Sequence, residues 1–273
     1  MLSDDKFMQR GIELALLGQG KVAPNPMVGA VIVYQGGIIG EGYHQQFGEA
    51  HAEVNAINSV KDKSILSEST IYVTLEPCSH FGKTPPCADL IVKHKFKRAV
   101  IGCQDTFSEV QGKGIVRLQE AGIVVRVGCL ENECRELNKQ FFTFHEKKRP
   151  FIILKWAQTS NGKLDSGTSN QKVTWISSPE SKTIVHQWRN AHQAILVGRK
   201  TIENDNPSLT VRAISGTNPI RLVLDSELKL PLTYSVFNNE SKTIVFNLKK
   251  SEKVQNIEFV KLTEMTPKSM LEA

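Results

Sequence analysis

The stretch Thr70-Ile71-Tyr72-Val73-Thr74-Leu75-Glu76-Pro77-Cys78-Ser79-His80-Phe81-Gly82-Lys83-Thr84-Pro85-Pro86-Cys87 decides how the chain is read. Its first six residues favour an extended backbone and run into Glu-Pro, which describes a strand that stops at a loop. The loop opens and closes on cysteines with eight residues between them. Upstream, His51-Ala52-Glu53 stands where a helix is expected to begin. One imidazole (His51) and two thiolates (Cys78, Cys87) make a three-ligand zinc site with a fourth position for water. Two thiolates cancel the formal charge of Zn²⁺, yet the metal still acidifies its water toward neutral pH. A partner has to take that proton and later protonate a leaving group. Glu53 suits this role, being close to His51 and not needed as a ligand. A closed structural site would instead need a fourth donor, for which His80 stands nearby.

Outward from this stretch, the first half alternates strand and helix patterns. Phe7, Met8, Ile12, Ala15 and Leu16 recur at helical spacing. Val28–Tyr34 and Ile38–Tyr43 read as strands joined by a Gly-Gly turn. Helices are expected from about His51, over 88–96, 112–121 and 131–146, and further strands over 99–102 and 123–127. This order predicts a mixed sheet with helices on both faces, a three-layer α/β domain over residues 1–147. Lys147-Lys148-Arg149-Pro150 interrupts the pattern, and a second domain is expected over 150–273. There a strand is expected at 151–156, a helix after Ser178-Pro179, and strands at 194–198, 220–225, 243–247 and 257–262. Cys103, Cys129 and Cys134 read as small buried apolar residues.

The chain has 273 residues, enough for two domains at about 150 residues each. Apolar residues make up 40% and charged residues 23%, which excludes a disordered chain. No apolar run approaches the ~20 residues of a membrane span, so no membrane partner is expected. The amino end lacks a basic segment followed by an apolar core, so no signal peptide is expected and a cytoplasmic location is. Net charge is +6, nearly all of it in the second half. The basic runs are short, which disfavours nucleic acid and leaves a phosphate-bearing small ligand of the second half or a merely solvated surface.

The His-x-Glu and Pro-Cys…Cys elements match the signature of zinc-dependent base deaminases, except that the cysteine spacing is eight rather than two. With Pro24-Asn25-Pro26-Met27-Val28-Gly29, Gly42-Tyr43-His44 and the Ser-His-x-Gly-Lys-Thr-Pro-Pro insert, the sequence closely resembles the bifunctional riboflavin-biosynthesis deaminase/reductase family. The resemblance implies a cytidine-deaminase-like domain followed by a dihydrofolate-reductase-like α/β domain. It implies deamination of 2,5-diamino-6-ribosylamino-4(3H)-pyrimidinone 5′-phosphate with Zn²⁺. Asn25, His44, His80 and Lys83 would line that pocket. Lys83 and the histidines suit phosphate or sugar hydroxyls, and Asn25 suits a ring edge.

For the second domain the resemblance implies NADPH-dependent reduction of the ribosyl group. Arg189, Asp205, Leu209 and Arg212 would hold the phosphoribosyl substrate, and Trp175, Thr201 and Ser226 the cofactor. Three departures stand out: Asn161-Gly162 in place of Asp-Gly, Val173 in place of a serine, and a sequence that stops at Ala273. The family continues there into a Glu- and Gly-containing segment that cradles the NADPH phosphates. The expectation is an incomplete domain, from a truncated product, with impaired reduction. Family members are often homo-oligomers. Two other readings are a nucleic-acid base deaminase and a non-catalytic zinc-stabilised interaction protein. The first is disfavoured by the cysteine spacing, and the second predicts no effect of Glu53→Gln.

Overall fold

The computed structural model describes residues 4–80, 85–107, 110–164 and 176–272. The chain divides into two compact units, Met1–Ile152 and Ile153–Ala273.

The first unit opens with α1 (Asp4–Leu16), the hairpin β1 (Gly29–Tyr34) and β2 (Gly37–Tyr43), and α2 (Ala52–Ser59). Then come β3 (Thr70–Leu75), α3 (Cys87–Lys93), β4 (Arg98–Cys103), α4 (Lys113–Glu120), β5 (Val124–Val127), α5 (Glu131–Leu137) and α6 (Lys139–Lys147). The strands form one sheet in the order β2-β1-β3-β4-β5. β1 is antiparallel to β2 and β3, while β3, β4 and β5 run parallel. Strand alternation sorts the side chains onto two faces. Ala30, Ile32, Ile71, Val73, Ala99 and Ile101 pack with Ala56, Ile57, Ile91 and Leu118 of α2, α3 and α4. Val31, Val33, Tyr72 and Val100 pack with Phe7, Met8, Cys134 and Phe142 of α1, α5 and α6. Helices therefore cover both faces, as the sequence predicts. Cys103, Cys129 and Cys134 are buried among apolar groups.

Two local features place the elements that carry the site. A side chain at residue 42 would collide with α2, since a Cβ on Gly42 would lie 2.2 Å from Ala56 N. Glycine there lets the first turn of α2 sit directly on β2. At α1, the Asp4 carboxylate accepts hydrogen bonds from Arg98, Arg126 and Tyr72, which tie the helix to the sheet.

The single helix expected over 131–146 is instead two. Asn138 breaks it at φ −116°, a value outside the helical range. Its amide is committed elsewhere: Oδ1 accepts from Met27 N at 2.8 Å and Nδ2 donates to Met27 O at 2.8 Å. A paired contact of this kind outweighs the helical periodicity around it.

The second unit contains α7 (Pro179–Ala191), β6 (Ala194–Gly198), α8 (Arg199–Asp205), β7 (Ile220–Leu224), β8 (Thr243–Asn247), β9 (Glu252–Val254), β10 (Ile257–Lys261) and α9 (Pro267–Glu272). Ser178 caps α7, with Pro179 at its first position. The sheet order is β6-β7-β8-β10-β9, parallel except for β9. Ile202, Leu209, Val223, Val236, Val245 and Phe259 form its core. The strand expected at 151–156 is not formed. Among the described residues no neighbour pairs with it, and Ile152, Leu154 and Trp156 stay exposed. An apolar, β-branched run becomes a strand only where another backbone completes the ladder. No helix among the described residues is long and apolar enough to cross a membrane.

Ile71 is fully buried at the centre of the first sheet. Ile71→Ala is expected to lower the stability of the first unit by about 2–5 kcal/mol in urea unfolding. A loss well under ~1 kcal/mol would contradict a packed core at this position.

Candidate active site

The proposed ligands come from two helix starts and one strand end at the same end of the first sheet. His51 directly precedes α2, Cys78 follows β3, and Cys87 is the first residue of α3. His51 Nδ1 lies 3.6 Å from Cys78 Sγ and 3.4 Å from Cys87 Sγ. The three donor atoms all lie within 4.8 Å of one another. The helix start fixes the sulfurs further: Cys87 N donates to Cys78 Sγ at 3.3 Å, and Ala88 N donates to Cys78 O at 3.1 Å.

These distances suit zinc. Bonds of about 2.3 Å to sulfur and 2.0–2.1 Å to nitrogen, arranged tetrahedrally, put neighbouring ligands roughly 3.6 Å apart. Without metal, the thiol of Cys87 donates to Cys78, which pulls the Cys78 thiol down and pushes the Cys87 thiol up. The pair thus shares a proton that metal binding has to displace. The Cys78 sulfur and the nearby carboxylate raise the affinity of His51 for a proton in turn.

Glu53 stands in the first turn of α2, only 3% exposed. Burial pushes its carboxyl up to about 7, helped by the charge of Cys78. Among the described residues its Oε2 has no hydrogen-bond partner, and neither does the buried Oγ of Ser79. Buried polar atoms are nearly always paired, so two orphans beside one donor cluster point to a ligand. A carboxyl that titrates near neutrality next to an open metal position is suited to taking and returning protons.

Of the expected pocket residues, Asn25 and His44 are in contact. His44 Nδ1 meets Ala50 O at 3.1 Å, and its Nε2 meets Asn25 Nδ2 at 3.2 Å. A carbonyl only accepts, so Nδ1 carries the proton and Nε2 accepts from the Asn25 amide. Burial lowers the basicity of His44, which keeps the ring neutral. Both nitrogens are thereby engaged, and among the described residues no group donates to the Asn25 Oδ1. The His44 ring also stands edge-on to His51 with centroids 5.4 Å apart. His80 is exposed beside Phe107, with ring centroids at 6.3 Å. Lys83 lies outside the described residues. Sequence reasoning missed Asn138, whose grip on Met27 holds the loop that bears Asn25. Nothing in a lone asparagine within a helical pattern announces it.

In the second unit, Arg189 and Arg212 lie close enough to lower the basicity of Arg189, after burial. Arg189 Nη1 donates to Thr210 O at 3.0 Å, and its buried Nε has no partner. Arg212 N donates to His186 Nδ1 at 3.1 Å. Two neighbouring guanidiniums with an orphaned N–H suit a phosphate. Leu209 is buried nearby in sequence with φ 57°, and Asp205 is exposed at the end of α8. Thr201 and Ser226 follow β6 and β7, whose carboxyl ends are adjacent, the place where open α/β sheets take nucleotides. Trp175 and Val173 lie outside the described residues.

For the metal-free protein the sign of the Glu53 effect is fixed. Its folded value lies above the unfolded one, so stability is full below about pH 4.5 and is lost as pH rises toward 7. Metal-free Glu53→Gln is therefore expected to be more stable than metal-free wild type at pH 8, by on the order of 3 kcal/mol. The difference should vanish near pH 4. Thermal melts at the two pH values decide this, and equal melting points at pH 8 would contradict a carboxyl whose ionisation burial opposes.

Comparison with known proteins agrees with both units. A family model for the cytidine and deoxycytidylate deaminase zinc-binding region matches residues 1–103. A model for the RibD C-terminal domain matches residues 150–273. The riboflavin biosynthesis protein RibD of Aquifex aeolicus is 45% identical over 256 residues, which is 93% of this chain and 71% of that protein. RibD of Escherichia coli is 37% identical, over 89% of this chain and 68% of its own length. A crystal structure of the diaminohydroxyphosphoribosylaminopyrimidine deaminase/5-amino-6-(5-phosphoribosylamino)uracil reductase of Thermotoga maritima superposes with a TM-score of 0.89 at 41% identity, covering 98% of this chain and 76% of that one.

Proposed function

We infer the function from one premise: the chain belongs to the RibD family of riboflavin-biosynthesis proteins. It is an enzyme of riboflavin biosynthesis with a zinc-dependent deaminase domain and an NADPH-dependent reductase domain. We propose that the deaminase substrate is the diaminohydroxyphosphoribosylaminopyrimidine named for the Thermotoga protein, a free nucleotide in the cytoplasm rather than a base in nucleic acid. Domain limits of 1–147 and 150–273 go with this reading.

The observation that carries it is the buried, unpartnered Glu53 Oε2 beside His51, Cys78 and Cys87. When bound, Zn²⁺ supplies a Lewis acid that brings a coordinated water into the neutral pKa range. His51, Cys78 and Cys87 would hold the ion, and the two sulfurs would keep the site close to electroneutral. Glu53 takes a proton through Oε2 and returns one to the departing amine, which leaves as ammonia while water supplies the ring oxygen. Burial already raises its affinity for a proton in the metal-free protein. Asn25 Oδ1, aimed by His44, accepts from an N–H on the pyrimidine edge. His80 and Lys83 are proposed to meet the ribose or phosphate.

In the second unit Arg189 and Arg212 are proposed to hold the substrate phosphate, with Asp205 and Leu209 at the ribosyl group. NADPH supplies hydride when bound, and Thr201, Ser226 and Trp175 are proposed to contact it.

Glu53→Gln should lower deaminase kcat by roughly 10²–10⁴-fold while one zinc per chain is retained. Ammonia release and metal content on the same preparation test this. Retained turnover would overturn the role of Glu53. Ammonia release from single-stranded DNA or tRNA instead of the free nucleotide would overturn the substrate class. Arg189→Ala should weaken binding of the deaminated phosphoribosyl compound roughly tenfold or more in calorimetry. Unchanged affinity would remove Arg189 from the phosphate site.

A further inference from the structure

Cys78 is reached from the sheet through Glu76 and Pro77, and the surroundings of Glu76 are unusual. The side chain is only 4% exposed, yet no cation pairs with it among the described residues. Its carboxylate is surrounded by backbone amides instead. Oε2 accepts from Asp105 N at 3.2 Å and Gly112 N at 3.0 Å. Oε1 accepts from Gly114 N at 2.9 Å and Ile115 N at 3.3 Å.

Three of these donors belong to the amino end of α4. The residue in the capping position there is Gly112, at φ 77°, which has no side chain to cap with. Unsatisfied N–H groups at a helix start attract an anion, and Glu76 supplies it from 36 residues away. The contact is tight on the other side too. A Cβ on Gly114 would lie 2.2 Å from Pro77 O, the carbonyl directly before Cys78. Cys78 is thus held between two helix starts, with α3 against its sulfur and α4 against the backbone leading to it. The fourth donor extends the clamp to Phe107. Asp105 Oδ1 accepts from Phe107 N at 2.8 Å, and Phe107 is the ring that stands against His80.

We propose that Glu76 is a positioning residue for the metal centre: by fastening Asp105 and the start of α4 to the Cys78 turn, it holds the Cys78 sulfur at the distance from His51 and Cys87 that zinc requires. The proposal rests on the zinc reading above. It gives Glu76 no contact with substrate and no part in proton transfer. Glu76→Gln keeps the shape but places an NH₂ group against two N–H donors, whichever way the amide turns.

The test uses the full chain. Zinc affinity is measured by chelator competition, and the Co²⁺ derivative is followed by its visible absorption. Melting of the metal-free form is recorded alongside, with Phe142→Ala as a destabilised control that removes buried apolar surface and none of the hydrogen bonds around Glu76. Glu76→Gln is expected to weaken zinc binding by roughly 10–100-fold, as loss of groups behind a ligand typically does, and to alter the cobalt bands. Phe142→Ala should lower the melting point without either effect. Gly114→Ala, which presses on Pro77 O, should reproduce the weakened binding and serves if Glu76→Gln does not fold. Wild-type affinity and an unchanged cobalt spectrum in the variant that folds would overturn the proposal while leaving the zinc site standing. A fall in affinity no larger than that of an equally destabilised Phe142→Ala would also overturn it, reducing Glu76 to a stabilising contact. Failure of wild type itself to bind zinc would remove the zinc reading and the proposal together.

Discussion

One nitrogen and two sulfurs have to meet within a few ångström, though they lie on segments up to 36 residues apart. The rest of the first unit can be understood as the solution to that constraint. A parallel arrangement of β3 and β4 sends their loops to one end of the sheet, and the hairpin β1–β2 brings the chain back to the same end before α2. Two helix starts then supply N–H groups where thiolates and carboxylates gather. Close packing of α2 on β2 at Gly42 sets the height of His51 and Glu53 above the sheet. The metal site is therefore a product of sheet topology as much as of its four chemical groups.

Charge is managed by burial more than by ion pairing. Glu53 is kept from ionising easily by the low polarity around it, while Glu76 is ringed by backbone amides. His44 is held neutral and spends both nitrogens on orientation, which fixes the amide of Asn25. In each case the protein fixes a donor or acceptor pattern in advance, and the reaction needs little reorganisation.

Much of this could be read in the residues. The Cys–x₈–Cys loop after a strand and the His-x-Glu pair pointed to the cluster of His51, Cys78 and Cys87 and to the buried Glu53 beside it, because ligand chemistry restricts which residue types can serve. Strand alternation around Ala30–Val33 and Val73–Leu75 gave the two-faced sheet. What escaped is what depends on distant backbone. Asn138 ends a helix early because it binds Met27, 111 residues away. Glu76 looks like a surface carboxylate until the amides of 105–115 are brought to it. Phe151–Trp156 has every local mark of a strand, but pairing is a property of two segments and only one was in view. The short β9 carries no periodicity that marks it out.

Zinc-edge X-ray absorption on the purified chain addresses the central claim most directly. The account predicts two sulfur scatterers at about 2.3 Å and two nitrogen or oxygen scatterers at about 2.0–2.1 Å, one of them exchangeable. A shell with a third sulfur, or one filled by a second histidine with no exchangeable ligand, would contradict an open catalytic position.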